Sequence, residues 1–455
     1  MTLGAGVFLG ACNVKQELLA PEQPGVISPS SVNSATAADA LYVGAIGRLN
    51  TAMNIPSGAN GYEGLWNWEA LFSDEIKSAD TFSQRDDDDQ RNEQTFDGGL
   101  TFIYGKVQQT RGYARQAIQA LVAYDPSSTG KVHTAEMYFV MGYTEMQLSS
   151  VFCNGIPFGE TINGVPSYTT PITDAAGTAL AISRFDTALT ILSGVTDATV
   201  AAAATQVKYA TLIARARAQV DLKDYAGAAT TVGPVPTNFN YNLDYSITTS
   251  DNGWWTYGPS IKRYTIGDSV DQSGLIANAI PFAELNDPRV PVQDTHTKGE
   301  DLTTEFITTT IWGRDDPVAL ASGVDARLIE AEAKLNGGDI PGMMTILNTL
   351  RTSGQTIGIF KVPALPALAT PTDQTSATNL FFREKALWQF GRGYRMDDLR
   401  RLVRQYGRAQ ETVFPNGAFT RNGQPSGTYG TEVTFPVPDA ERANPAFTGC
   451  IDTKA

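Results

Sequence analysis

Two histidines, His133 and His296, stand in separate segments of a 455-residue chain. That removes a His-rich zinc centre, and any Ser-His-Asp or Cys-His device would have to use one of two isolated partners. Both sit among polar residues and read as solvated. No Walker-type or dinucleotide glycine fingerprint occurs. The run Asp86-Asp-Asp-Asp89 has oxygens for a cation, but an EF-hand loop starting at Asp86 needs Gly where Arg91 stands and Glu where Asp97 stands. It reads as a solvated acidic loop, with an irregular Ca²⁺ site as the alternative. The 48 acidic residues offer many carboxylate pairs of the glycosidase kind, and nothing selects one. No catalytic residue, metal or cofactor is expected.

What remains is binding chemistry. Trp254-Trp255-Thr256-Tyr257 is the densest aromatic cluster, and Gly253 and Gly258 flank it. Such a loop suits rings presented outward. Neighbours in extended chain point to opposite sides, so one Trp anchors and the other faces a ligand. The competing reading is a plug in the core, because Trp is heavily buried on average. Trp66 and Trp68 lead into a helix and read as core. Asp80 and Arg85 have the geometry to bond sugar hydroxyls, with exposed loop charge as the plainer reading. The candidate ligand contacts are therefore Trp254, Trp255, Tyr257, Asp80 and Arg85.

Helices must position these groups. Apolar residues recur at helical spacing over 37–53, 102–124, 134–152, 179–192, 207–232, 324–350 and 380–403, and continuous β patterning is scarce. Residues 216–227 (ARAQVDLKDYAG) align with 331–342 (AEAKLNGGDIPG), each a small-residue helix, a turn with Asp and a second helix. This is the layout of a tetratricopeptide pair, although an ordinary αα-hairpin competes for either copy alone. Long aromatic- and Gly-rich excursions at 73–99, 154–177, 233–324 and 353–379 interrupt the helices. Loops of that length in a compact domain are usually functional or disordered, and their aromatic content argues for order.

The net charge of −14 repels phosphate backbones and anionic lipid, so nucleic acid is a poor partner. Residues 1–11 are small and apolar, and Leu9-Gly10-Ala11-Cys12 resembles a bacterial lipobox, in which the Cys is acylated and the preceding leader removed; a basic n-region is missing. A polar, Pro-containing stretch follows to about residue 34 and reads as a tether. Export would leave Cys153 and Cys450 as an even pair in an oxidising compartment, either bridged or buried as two thiols.

The C-terminal third resembles the SusD/RagB family. The segments that carry the likeness are Phe382-Arg-Glu-Lys-Ala-Leu387, Gly393-Tyr-Arg-Met-Asp-Asp-Leu-Arg-Arg401, Thr434-Phe-Pro-Val-Pro-Asp439 with Asn444-Pro445, Arg327-Leu-Ile-Glu-Ala-Glu-Ala333, and the 142–158 helix exit. Arg392 departs from the Glu that the family commonly has before the Gly-Tyr-Arg segment. Arg395, Asp398 and Arg400 read as links between helices rather than as ligand contacts. The resemblance implies an all-α, SusD-like fold of tetratricopeptide-type helix pairs in a superhelix, with long ordered excursions. It implies a signal peptide at 1–11, a lipid-anchored tether at 12–34 starting at Cys12, and one domain over 35–455. The implied role is a surface-exposed outer-membrane lipoprotein, not an enzyme, that binds oligosaccharide and delivers it to a SusC-like TonB-dependent transporter. A surface glycoside hydrolase and a structural adaptor without its own ligand are the alternatives.

Overall fold

In the computed structural model the described residues are 32–54, 63–162 and 165–455. Cys12, the 1–11 leader and the tether up to residue 31 lie outside them. Twelve longer helices carry the architecture: α1 (Ala35–Met53), α2 (Leu65–Phe72), α3 (Ser83–Asp89), α4 (Gly98–Tyr124), α5 (Ser128–Val151), α6 (Asp174–Ser193), α7 (Ala201–Asp221), α8 (Tyr225–Val232), α9 (Gly323–Asn336), α10 (Ile340–Ser353), α11 (Gln374–Trp388) and α12 (Arg395–Arg404).

Short polar residues set most of their starts. Ser34, Asp97, Ser127, Thr173, Asp224, Ser322, Asp339 and Asp373 each accept from a backbone N–H of the helix that follows. Asp97 explains why α4 begins before the periodic pattern at 102: its carboxylate holds the Gly99 and Leu100 N–H groups. Helix α5 is buried on every side from Phe139 to Val151 and forms the middle of the molecule, between α4 and α6.

Consecutive helices pack on one another, α4 with α5, α5 with α6, α6 with α7, α7 with α8 and α9 with α10, and α8 also meets α9. The sequence repeat is structural. Asp224 starts α8 and Asp339 starts α10, accepting from the Gly227 and Gly342 N–H at 3.0 and 2.9 Å. A Cβ on either glycine would sit 2.1–2.3 Å from that carboxylate, so Asp and Gly recur together.

The described parts of the excursions hold short strands. Most pair as two-stranded ladders; one four-stranded sheet runs in the order 424–428, 416–421, 274–277, 270–271. No central sheet or barrel organises the described residues. A disulfide joins Cys153 to Cys450, with Cα atoms 6.0 Å apart, and ties the exit of α5 to the C-terminal tail. No helix among the described residues is long and apolar enough to cross a membrane.

The segments that carried the family resemblance are scaffold. Asp398 on α12 accepts from Lys385 at 2.6 Å and from Arg401 at 3.0 Å, and both cations also reach Glu332 on α9. Arg400, fully buried, pairs with Asp174 at the start of α6 and caps the end of α5 through the Ser150 and Phe152 carbonyls. Arg392 meets Asp325 at 2.5 Å and donates to the Ala319 carbonyl. These pairs are buried, and removing one partner would strand the other's charge.

Candidate ligand groove

The residues singled out from sequence are mostly interior. Trp254 is 5% exposed, stacked on Trp312 with ring centroids 5.6 Å apart. Both rings lie over Gly391, where φ is +67° and a Cβ would meet them at 2.9–3.3 Å. The next glycine, Gly393, has φ of +68° and leaves room for the buried Trp66 in the same way. The Gly391-Arg392-Gly393 break between α11 and α12 is therefore a seat for tryptophans. Trp254 is a plug, and the flanking glycines gave the same signal as a presenting loop would.

Tyr257 is also fully buried, 5.3 Å from the Tyr264 ring. Asp80 and Arg85 are not exposed loop charges: they pair with each other at 2.6 Å, and Arg85 also holds the buried Glu63. Their hydrogen-bonding capacity is spent inside the protein. Trp255 is the exception in this cluster, half-buried with the Arg314 guanidinium 5.3 Å over its ring. Trp66 and Trp68 are core, and Trp68 donates to Glu93 at 2.9 Å.

The acidic run also differs from the solvated loop expected. It is the body of α3, with Asp86, Asp88 and Asp89 buried. Burial, together with Glu93 and Asp89, pushes the Asp88 carboxyl well above the usual carboxylate range. No group of residues suited to a metal ion occurs among the described residues. His133, expected to be solvated, stacks on Tyr42 at 3.8 Å.

The open groove lies elsewhere, along α4. It has a volume of about 690 Å³ and runs between α4, residues 157–160 and 167–168, and the 440–444 segment. Tyr104, Tyr113 and Tyr168 line it, the last 52% exposed. Gln108, Gln109, Gln116 and Asn444 supply amides, and Arg115, Glu160 and Glu441 supply charge. One wall is held rigidly. Gln108 donates to the Tyr104 hydroxyl and to the Pro157 carbonyl, both at 3.1 Å. Arg111 binds Glu145 at 2.9 Å and the Phe158 and Gly159 carbonyls at 2.8 and 2.6 Å. Burial and the Glu441 carboxylate push the Tyr104 hydroxyl well above its usual range, so it stays a neutral donor.

Two glycines complete the groove. Gly105 and Gly112 lie in the middle of α4 and line it, and a Cβ on either would touch nothing. Glycine inside a helix costs roughly 0.5–1 kcal/mol relative to alanine. No packing need explains them; what they achieve is a bare strip of helix backbone at the groove floor. The sequence carried this signal as glycines inside the 102–124 helical pattern, with glutamine and tyrosine on the same stretch. It was overshadowed by the larger aromatic cluster.

Rings with an open face, planar amides and a few fixed charges are groups that could bond to and stack on a flat polyhydroxylated ligand. No family model and no curated protein matches the sequence. Solved structures do match over nearly the whole chain. A SusD superfamily protein from Bacteroides thetaiotaomicron is 15% identical with a TM-score of 0.64, covering 92% of this chain and all of that one. A SusD-like carbohydrate binding protein from Bacteroides fragilis is 12% identical with a TM-score of 0.62, covering 91% of this chain and 99% of that one. Another SusD-like carbohydrate binding protein, from Bacteroides vulgatus, is 12% identical with a TM-score of 0.60. At these identities the likeness is one of fold, and the fold is the SusD fold.

Proposed function

We propose that this chain, which has the SusD fold, is a carbohydrate-binding protein of the SusD/RagB family that captures oligosaccharide in the groove along α4. The observation that carries the reading is that groove: an open trough with ring faces, amides and a bare helix floor, on a fold whose solved examples include proteins named as carbohydrate-binding. The reading extends to a lipid anchor at Cys12, exposure on the outer-membrane surface and hand-over to a SusC-like TonB-dependent transporter. The lipobox-like Leu9-Gly10-Ala11-Cys12 supports the anchor. Changing Cys12 to Ser should release the protein from membranes; persistence there with residues 1–11 intact would sink that part.

The ligand claim is tested by a glycan array on the purified protein, followed by titration of Tyr168→Ala. A ring face stacked on a sugar removes about 100 Å² of apolar surface, roughly 2.5 kcal/mol gross. Ordering costs leave about 1–2 kcal/mol, so affinity should fall about 5- to 30-fold. The melting temperature should stay put, because the ring is exposed. Trp255 remains a second candidate contact, and Trp255→Ala in the same titration decides whether binding reaches it. Product release from the glycan would identify a hydrolase instead, and transporter binding without any glycan affinity would identify an adaptor.

A further inference from the structure

On a chain with a net charge of −14, two cations stand beside residues of the α4 groove. Arg48 on α1 lies 4.9 Å over the ring of Tyr113, a groove residue. Lys106 stands on α4 one residue from Gly105, against the ring of Phe102 at 5.0 Å. Neither cation has an acidic partner within ion-pair distance among the described residues, whereas Arg111, Arg289, Arg392, Arg400 and Arg401 in the interior each have one. The two crowd each other as well. Partial burial and the neighbouring Arg48 both push the Lys106 ammonium below its usual range.

Arg111 and Arg115 of the groove, and Arg184 beside them, are answered by Glu145 and Glu160. Glu441 lines the opposite side and is engaged by Asn444 at 2.9 Å. Five cationic groups therefore meet three carboxylates, and the two without a carboxylate, Arg48 and Lys106, stand next to Tyr113 and Gly105 of the groove. Uncompensated like charges placed side by side cost free energy, which an anion between them would relieve. A free anion would need only the charges. The tyrosine faces, the amides and the bare strip at Gly105 and Gly112 call for a ligand with length and flat faces.

We infer that the groove takes an acidic oligosaccharide, one bearing carboxylate or sulfate groups, with Arg48 and Lys106 reading its charge and Tyr113 and Tyr168 its ring faces. This rests on the carbohydrate-binding reading above and narrows it to a ligand class.

The test is calorimetric titration of the full chain with three probes: oligogalacturonate, a sulfated glycosaminoglycan oligosaccharide and neutral maltohexaose. At least one acidic probe should bind about tenfold or more tighter than the neutral one at low salt, and its affinity should fall as salt rises. The double variant Arg48→Gln/Lys106→Gln should lose about tenfold for the acidic probe, with an unchanged melting temperature. Three results overturn the inference: maltohexaose binding as tightly as the acidic probes, a double variant that keeps acidic affinity, or inorganic sulfate binding as tightly as the oligomer. The first leaves the carbohydrate-binding reading standing. Failure of all three probes together with a blank glycan array removes both.

Discussion

The Trp254 region and the α4 groove hold the same kinds of residue, rings beside glycines with arginine and carboxylate near by, and the two do opposite work. Around Trp254 the rings are covered and the charges paired. Its ring stacks on Trp312 over Gly391, and Asp80 and Arg85 neutralise each other. Along α4, Tyr168 keeps an open face, Arg48 and Lys106 lack carboxylates, and the glycines face empty space. Composition alone does not separate a plug from a platform. What separates them is whether each group's partner is already inside the protein.

The sharpest way to break this contrast is Trp254→Ala. Emptying so large a buried site should cost about 3–5 kcal/mol in denaturant melts, while leaving glycan affinity intact at temperatures where the fold persists. A fully stable variant that had lost binding would reverse the assignment of the two regions.

A smaller effect concerns pH and the buried acids of α2 and the turn after it. Burial raises Glu69 and Glu75 to about 8 and Asp74 to about 7. Groups whose folded pKa is raised contribute stability that is full below the ordinary carboxylate range and lost as pH rises through the folded value. The melting temperature should therefore fall between about pH 5 and about pH 8, and Glu69→Gln should flatten part of that slope. A melting temperature that rises across the same window would mean these carboxylates are ionised and paired in the folded state. The groove residues, being open to water, should contribute little to it.

The smallest effect is the most discriminating. Gly112→Ala should stabilise the protein by roughly 0.5–1 kcal/mol, since alanine suits a helix and the methyl meets nothing. The same methyl stands on the groove floor, so glycan affinity should drop. A variant both more stable and equally tight would show that ligand does not touch the bare strip.

Much of the scaffold was legible in the chain. The 216–227 and 331–342 repeat foretold two helix pairs with an Asp in each turn, and the structure makes those Asp residues the caps. Arg395, Asp398 and Arg400 were read as structural, and Asp398 and Arg400 lie in buried ion pairs. The start of α4 was misplaced because Asp97 lies outside the apolar period that marks the rest of the helix.

Binding residues were harder to find, for a physical reason. Helix periodicity, caps and turn glycines are local, set by neighbours within a few positions along the chain, and the sequence states them directly. Whether a ring faces water is decided by residues far away: Trp254 is covered by Trp312 and Gly391, while Tyr113 is left open beside Arg48. The helix pairs and the scaffold acids and bases were thus determined by the sequence itself. The exposure of each aromatic ring, the pairing of Cys153 with Cys450 and the groove between α4 and the 440–444 segment were decided only by tertiary packing, which brings together groups the chain keeps up to hundreds of residues apart.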